Sequence, residues 1–474
     1  MMLVTHRGPF RFTVRDDGGF DSRRGAGGIV SALLPLVVAG GTSGDNADVV
    51  GASGEGGVPE RRAWVAAAIG DADRAAVRAG AAHVDALDLH LLALDPEQHR
   101  LHYDLVSNSV LWFLHHGLFD LPRRPRFDQH FREAWAGYRS VNRVFADEIV
   151  AQAETGEVVL VHDYHFALVP GMVRAERPDL RLAHFTHTPF CGPNSIRVLP
   201  DAVAHEICAS MATAPTGFHT QRWADAFRAS AAVVLGPAAE IAPSFVAPLG
   251  PDTAALAGAA TSDGAVAAAA ALDELVGDRA LIVRSDRTDP AKNVVRGFLA
   301  YDRFLDLHPD WHGRVMFVAL LNRSRESLAD YLAYEQEVAN AAARVNARHG
   351  TATWEPVVVD TRDDYLRTVA GFLRYDALFV NSLKDGLNLV AKEGPLVNRR
   401  DGVLLLSPEA GAFDDLGEHA VAVHPYDLEQ NAEALHRALT MGAPERSRRA
   451  AALREAAALH SPESWLHTLV TSAR

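Results

Sequence analysis

Cysteine is almost missing from this chain: Cys191 and Cys208 are its only two. A single pair cannot make a disulfide framework, and the scarcity predicts a reducing, cytoplasmic location. An excess of positive charge is lacking as well. The formal net charge of −14 argues against non-specific nucleic-acid binding and against attraction to anionic membranes. A small anionic ligand is still allowed, because a local Arg/Lys cluster dominates its own pocket. The basic run Arg123-Arg124-Pro125-Arg126 reads as a solvated loop. Long apolar runs are absent too: Ala265 to Leu272 is nearly all alanine and far too short to span a bilayer. The start, M-M-L-V-T-H-R, reaches Arg7 before an apolar signal region could form, so no signal peptide is expected. Neither a short-period repeat nor a heptad run is present. What remains is 474 residues, 48% hydrophobic, enough for two domains with full cores.

Met2 to Thr5 reads as a first strand, ending at His6-Arg7-Gly8-Pro9. Phe10 to Val14, a D-D-G-G turn and Phe20 onward read as a hairpin. It leads into Arg23-Arg24-Gly25-Ala26-Gly27-Gly28 and a helix from Ile29 to Val38. Glycines ahead of a helix suit an anion, since backbone can approach it with no Cβ in the way. The dinucleotide fingerprint fails, because Val30 occupies the third glycine's place. Thr42 to Arg62 is Gly-rich and reads as a surface loop. Strands at His90–Leu94, Val158–Val161, Arg181–Thr186 and Thr216–Phe218 then alternate with helices such as Phe131–Ala153. A second series follows the alanine-rich segment Ala254–Asp273, at Ala280–Arg284, Arg314–Leu321, Pro356–Val359, Ala377–Val380, Gly402–Leu406 and Ala420–Val423. The alternation predicts an α/β fold of two Rossmann-like, doubly wound domains facing a cleft. The join lies near Pro248-Leu249-Gly250-Pro251, giving domains 1–248 and 249–474. The terminal helix from Ser461 is a candidate to pack back across the junction.

The stretch from Asn381 to Glu393, N-S-L-K-D-G-L-N-L-V-A-K-E, follows a buried apolar strand. Asp385-Gly386 breaks the strand, and Leu387 onward has helical spacing, with Asn388, Lys392 and Glu393 on the early turns. A strand, a Gly turn and a helix start put unpaired N–H groups at the carboxyl edge of a sheet, where α/β folds bind anions and sugars. Glu393, about two turns in, could reach back to a ribose or sugar hydroxyl. The competing reading is an ordinary strand–helix loop whose acids cap the helix.

A second loop, Arg284-Ser285-Asp286-Arg287-Thr288-Asp289-Pro290-Ala291-Lys292-Asn293, also follows a strand. Arg287 offers a fork and Lys292 a point charge, the pair needed to neutralise a diphosphate as negative charge builds on a leaving oxygen. The plainer reading is a surface ion pair with Asp286 or Asp289. In the first half, V-H-D-Y-H places Asp163 just past a strand, and H-F-T-H-T-P-F places His187 at the end of the next. Neither histidine spacing matches a zinc pattern, so no metal site is expected. Tyr103 and Trp112 flank S-N-S-V-L-W and read by themselves as core aromatics.

V-H-D-Y-H, H-T-P-F, R-T-D-P-A-K-N and D-G-L-N-L-V-A-K-E occur here in the order seen in trehalose-6-phosphate synthases. Y-D-L-V-S-N-S-V-L-W and G-V-L-L-L-S-P-E-A-G-A resemble that family too, and the likeness runs from Thr5 to about Leu439. The resemblance implies a retaining glycosyltransferase of the GT-B type, family 20, with no cofactor and no metal at the diphosphate. It would join a nucleotide-diphosphate glucose to glucose 6-phosphate, with self-association left open. The first domain would bind the acceptor and the second the nucleotide sugar. By resemblance Arg287 and Lys292 hold the donor diphosphate, and Gly27 and Gly28 close over it. His187 and Asp385, Gly386 and Leu387 meet the donor sugar, Asn388, Leu389 and Val390 line the phosphate approach, and Glu393 takes the ribose hydroxyls. The acceptor phosphate falls to Arg7, Tyr103, Trp112 and Arg325, with Asp163 on the acceptor sugar.

The family more often reads R-L-D-Y-x-K-G where this chain has R-T-D-P-A-K-N, a variant that looks like validoxylamine-phosphate synthases, which join two cyclitols. Those relatives tend to read D-G-Q-N-L-S-T-F-E at the glycine loop, unlike this chain. The W-x-G-W feature is reduced to Trp64 followed by V-A-A-A. The glycine loop should face the donor sugar directly and carries more weight. The expected activity is therefore trehalose-6-phosphate synthesis. The alternatives are a pseudo-glycosyltransferase acting on phosphorylated cyclitols and a non-catalytic sensor of sugar phosphate. The loop variant resembles actinomycete-type members, which favours GDP-glucose over UDP-glucose.

Overall fold

The computed structural model describes residues 1–25, 28–38, 62–84 and 87–474. Gly27 and residues 42–61 of the expected loop lie outside the described residues. The described chain falls into two units, Met1–Pro248 with Pro462–Arg474, and Leu249–Ser461.

The strands of the first unit are β1 (Met2–Arg7), β2 (Phe10–Val14), β3 (Phe20–Arg24), β4 (Ala63–Ala67), β5 (Asp88–Leu92), β6 (Val158–His162), β7 (Arg181–Thr186), β8 (Thr216–Phe218) and β9 (Ser244–Val246). β2 and β3 form the expected antiparallel hairpin. The others make one sheet in the order β5-β4-β1-β6-β7-β8-β9, every pair parallel. β6, V-V-L-V-H, is buried at every position, as a strand covered on both faces must be. Phe145 and Ile149 of the helix Gln129–Gln152 pack against Val4, Val65 and Val161. The terminal helix Pro462–Ser472 belongs to this unit. Its Trp465 meets Phe185 edge-on at 5.3 Å, and Arg474 exchanges backbone hydrogen bonds with Leu182.

β5 lies two residues earlier than the expected His90–Leu94, and two further strands, β4 and β9, were not anticipated from the sequence. Trp64, taken for the remnant of a W-x-G-W loop, is wholly buried inside β4, where its indole N–H donates to Thr5 Oγ1 at 2.7 Å. The alanines around it give little strand signal, and its neighbours in the sheet supply the rest. β9 is a three-residue edge strand, only half-buried along its length.

The second unit holds β10 (Ala280–Arg287), β11 (Val315–Asn322), β12 (Val357–Asp360), β13 (Ala377–Val380), β14 (Val403–Leu406) and β15 (Val421–Ala422), ordered β12-β11-β10-β13-β14-β15 and parallel throughout. Strand alternation divides its core in two. Ile282, Phe317 and Phe379 face one layer with Phe298 and Tyr301, while Leu281, Val318 and Leu378 face the other with Phe372 and Tyr375. The alanine-rich segment forms the helices Thr253–Thr261 and Asp263–Val276, capped by Asp252 and Ser262 and packed through Leu256, Ala260 and Ala265 on Val369 and Leu373. No single described helix is long and apolar enough to cross a membrane; this pair passes that test only when joined across a 64° bend.

Each sheet reverses its winding once. In the first, the chain lays β4 and β5 to one side of β1 and then returns to place β6 on the other. In the second, β11 and β12 lie to one side of β10 and β13 to the other. Ligands of open α/β sheets bind outside the carboxyl ends of the strands at such points, because the flanking helices diverge there and leave a crevice. Arg7 and Asp163 stand at the first reversal, and the Arg287 and Asp385 loops at the second.

Candidate active site

At the second reversal β10 runs three residues further than the sequence suggested, to Arg287, which places Arg284 inside the strand. Its fully buried guanidinium donates to Asp286 (2.8 Å), Asn381 Oδ1 (3.2 Å) and the Lys292 carbonyl (2.7 Å), lashing the two loops together. Asp289 then caps a short 3-10 turn, Pro290–Lys292, by accepting from the Ala291 N–H at 3.1 Å. Asn293 takes a left-handed conformation (φ 60°) and donates to the Asn381 and Pro425 carbonyls before the helix Val294–Leu307 begins. This geometry delivers Lys292 Nζ onto the Asp385 carboxylate. Burial opposes the lysine's charge, but Asp385 and Asp286 outweigh it and hold the ammonium above its usual pKa. The ion-pair partners anticipated for the loop were Asp286 and Asp289. Lys292 instead bonds Asp385, while Arg287, 48% exposed, stands 3.9 Å from Asp289.

The glycine loop is pinned from behind. Asp385 pairs through its backbone with Glu409 and Gly411, and the Ala412 N–H donates to the Leu387 carbonyl. A Cβ on Gly411 would sit 2.1 Å from the Gly386 carbonyl, so only glycine fits there. Asn388 is the helix N-cap rather than a helical residue: at φ 78° its Oδ1 accepts from the Ala391 N–H, and its Nδ2 donates to Asp385 at 3.0 Å. The helix Leu389–Val397 therefore starts two residues later than expected, and Glu393 lies just past its first turn. The Glu393 carboxyl is half-buried and makes no hydrogen bond or ion pair among the described residues; burial pushes it up to about 7. Leu389 and Val390 are half-buried beside it, while the Leu387 side chain is buried. Lys392 turns into the interior, 2.6 Å from Asp415 and 3.5 Å from the Leu249 carbonyl. That lysine braces the helix.

At the first reversal Arg7 ends β1 with its side chain exposed. His6 beside it is buried. Its ring stacks on Tyr103 (centroids 4.2 Å apart), and its Nε2 shares a hydrogen bond with His99 Nε2 at 3.0 Å. Tyr103 sits on a π-helical stretch, Leu101–Leu111, and Trp112 opens the next turn, buried and stacked on His116 at 3.9 Å. Asp163 adopts φ 75°, a strained backbone for a non-glycine residue, and is held there by β7. Its N–H donates to the Phe185 carbonyl, its carbonyl accepts from His184 Nε2, and its carboxylate accepts from the His187 N–H at 3.2 Å. His187 is the middle of three linked imidazoles, 3.2 Å from His162 and 3.2 Å from His219. Burial lowers His162 to about 3 and His187 well below its usual value, so both rings are neutral. Both ring nitrogens of His187 are thus engaged by neighbouring imidazoles.

Arg325 lies in the second unit. Its guanidinium is 3.1 Å from Asp289 and bonded to the Tyr331 hydroxyl. The structure thus brings together Lys292 with Asp385, Arg325 and Arg287 around Asp289, and Asp163 with His187. Gly28 opens the helix Gly28–Val38. Sequence reasoning passed over His6, His99, Arg284, Asn381 and Tyr331. Tyr331 carries no local mark at all, whereas Arg284 and Asn381 lay inside the two strongest motifs.

The family model for glycosyltransferase family 20 matches residues 58–474. The bifunctional trehalose-6-phosphate synthase/phosphatase of Thermoproteus tenax is 31% identical over 80% of this chain, which spans about half (52%) of that relative's length. Validamine 7-phosphate valienyltransferase of Streptomyces hygroscopicus subsp. jinggangensis is 32% identical over 85% of this chain and 84% of its own. The crystal structure of an alpha,alpha-trehalose-phosphate synthase (UDP-forming) from Burkholderia vietnamiensis superposes with a TM-score of 0.81 at 26% identity, covering 99% of this chain and 98% of that one. That likeness carries the GT-B fold class. The chain belongs to glycosyltransferase family 20.

Proposed function

We propose that this chain makes trehalose 6-phosphate by retaining transfer of glucose from a nucleotide-diphosphate glucose to glucose 6-phosphate. The observation that carries the reading is the Lys292–Asp385 contact: a leaving-group cation bonded to the glycine loop of the neighbouring strand, beside Arg287. Arg287 and Lys292 would neutralise the departing diphosphate, and Asp385, Gly386 and Leu387 would position the sugar with backbone groups. Among the described residues no side chain stands out as a nucleophile on the donor side. Retention is then explained by same-face attack, the leaving phosphate oxygen taking the acceptor's proton as the C–O bond to the diphosphate breaks. In this scheme Arg7, Tyr103, Trp112, Asp163 and Arg325 serve the acceptor. Gly28, His187, Asn388, Leu389, Val390 and Glu393 serve the donor. Two buried cysteines that are not joined in a disulfide are consistent with a cytoplasmic setting.

The GDP-glucose expectation rests on the R-T-D-P-A-K-N variant alone. The Burkholderia relative is named UDP-forming, which makes UDP-glucose the first donor to test. A second reading, coupling of phosphorylated cyclitols, is favoured by the identity and nearly full overlap with the Streptomyces enzyme. A purely sensory role has little support, since a sensor has no use for paired leaving-group cations. The deciding experiment offers UDP- and GDP-glucose in competition, with glucose 6-phosphate, glucose and a cyclitol phosphate as acceptors. Trehalose 6-phosphate as the main product supports the reading. A marked preference for the cyclitol phosphate replaces it with the second.

A further inference from the structure

Asp289 was expected to be at most one half of a surface ion pair, yet its side chain is fully buried. One carboxylate oxygen accepts from the Ala291 N–H at 3.1 Å, which shapes the turn leading to Lys292. The other accepts from Arg325 Nη1 at 3.1 Å and from the Tyr331 hydroxyl at 3.3 Å, and it stands 3.9 Å from Arg287 Nη2. Burial keeps the Tyr331 phenol protonated. Its O–H can therefore serve Asp289 while its oxygen receives Arg325, whose guanidinium lies 5.1 Å from the ring centroid. Arg325 is held at φ 50°, from a loop one strand away from that of Arg287. Two guanidinium groups left to themselves would repel one another. A single negative charge between them fixes their separation and leaves a net positive pair.

We propose that Asp289 is a positioning residue for anion recognition. It sets the spacing of Arg325 and Arg287, so that a phosphate monoester on the acceptor and the diphosphate of the donor are gripped in one register. This rests on the reading above for the identity of the ligands, though not for the presence of an anion site.

Asp289→Asn is the informative change. The amide oxygen can still cap the turn, but an NH2 group then faces Arg325 and Tyr331, donor against donor, and Arg325 is released. The expected result is at least about a tenfold rise in the dissociation constant for inorganic phosphate, followed by thermal shift or calorimetry. The acceptor KM should rise in parallel, and the donor KM should move less because Arg287 is the more distant cation. Arg325→Ala should give a similar loss. The double variant should then be no worse than Arg325→Ala, because Asp289 acts through that side chain. Losses that multiply in the double variant, or an Asp289→Asn protein that binds phosphate normally, overturn the proposal. Should Asp289→Asn fail to fold, Tyr331→Phe removes the oxygen that receives Arg325 and must show the same non-additivity. A wild-type protein that binds phosphate yet turns over no donor–acceptor pair refutes the proposed activity and leaves this inference standing on the binding cycle.

Discussion

Lys392 belongs to the D-G-L-N-L-V-A-K-E motif, and the structure gives it a mechanical task that Lys392→Met would expose. Its side chain is wholly buried, and its partner Asp415 is 17% exposed. Methionine keeps the length and the apolar stem but removes the charge. Breaking a buried pair by deleting one member costs about 3–5 kcal/mol, because the other charge is stranded. Asp415 retains some water and a histidine, His460, at 3.7 Å, which places the loss near the low end, about 3 kcal/mol. At roughly 2–4 °C per kcal/mol for domains of this size, the melting temperature at pH 7 should fall by about 6–12 °C in differential scanning calorimetry. The double variant Lys392→Met/Asp415→Leu should recover much of that, since no charge is left unpaired. The pH dependence follows from the carboxylate. Burial pushes Asp415 up, but His460 and Lys392 outweigh it and leave the pKa below its usual value. A carboxylate with a depressed folded-state pKa stabilises above its unfolded value, about 3.9, and loses that contribution as pH falls through the folded one. The gap between wild type and Lys392→Met should therefore close below about pH 4. A Lys392→Met protein that melts with the wild type at pH 7, or a double variant less stable than the single one, refutes the reasoning.

Arg287→Ala should lower turnover about 100- to 1,000-fold with an unchanged melting point, since the side chain is half exposed; near-normal kcat would reassign it to the surface. Lys292→Ala should cost similar turnover and also stability, because Asp385 is only 14% exposed and loses its cation; an unaltered melting curve would contradict the pairing. Glu393 titrates near neutrality, so donor KM should fall as pH rises through about 7, when the carboxylate forms and can accept ribose hydroxyls. Its raised pKa also means stability is lost over that range. Glu393→Gln should therefore be the more stable protein above pH 7, and a pH-independent difference in Tm would count against this. Arg7→Ala should raise the KM for glucose 6-phosphate without affecting donor KM or folding, as expected of an exposed strand end; equal use of glucose and glucose 6-phosphate by the wild type would remove the phosphate role.

Several strands covered on both faces were legible, because V-V-L-V and A-L-F-V are apolar without interruption. The A-W-V-A-A strand was not, since alanine carries little signal and only its place beside β1 makes it a strand. The two motif loops were legible as loops, and their adjacency follows once β10 and β13 pair. Which way each side chain turns was not. Lys392 and Glu393 are neighbours in sequence, yet one braces the interior while the other makes no hydrogen bond or ion pair among the described residues. Local pattern is silent on that choice, because Asp415 and Leu249, distant in sequence, decide it. The fully buried Arg284 escaped for the same reason: a strand with an arginine reads as ending, unless Asn381 and Asp286 are known to receive it.

The contact between Gly411 and the Gly386 carbonyl has a bearing on how copies of this gene are judged. A methyl group at position 411 would collide with the glycine loop even if every residue of D-G-L-N-L-V-A-K-E were intact. The motif can therefore survive in a decaying lineage after the shape it encodes is gone. Glycine at 411, in the separate segment S-P-E-A-G-A, is a second witness, because a side chain there displaces the loop while the letters of D-G-L-N-L-V-A-K-E stay unchanged. A homologue that keeps the motif but carries a side chain there belongs among candidates for lost activity.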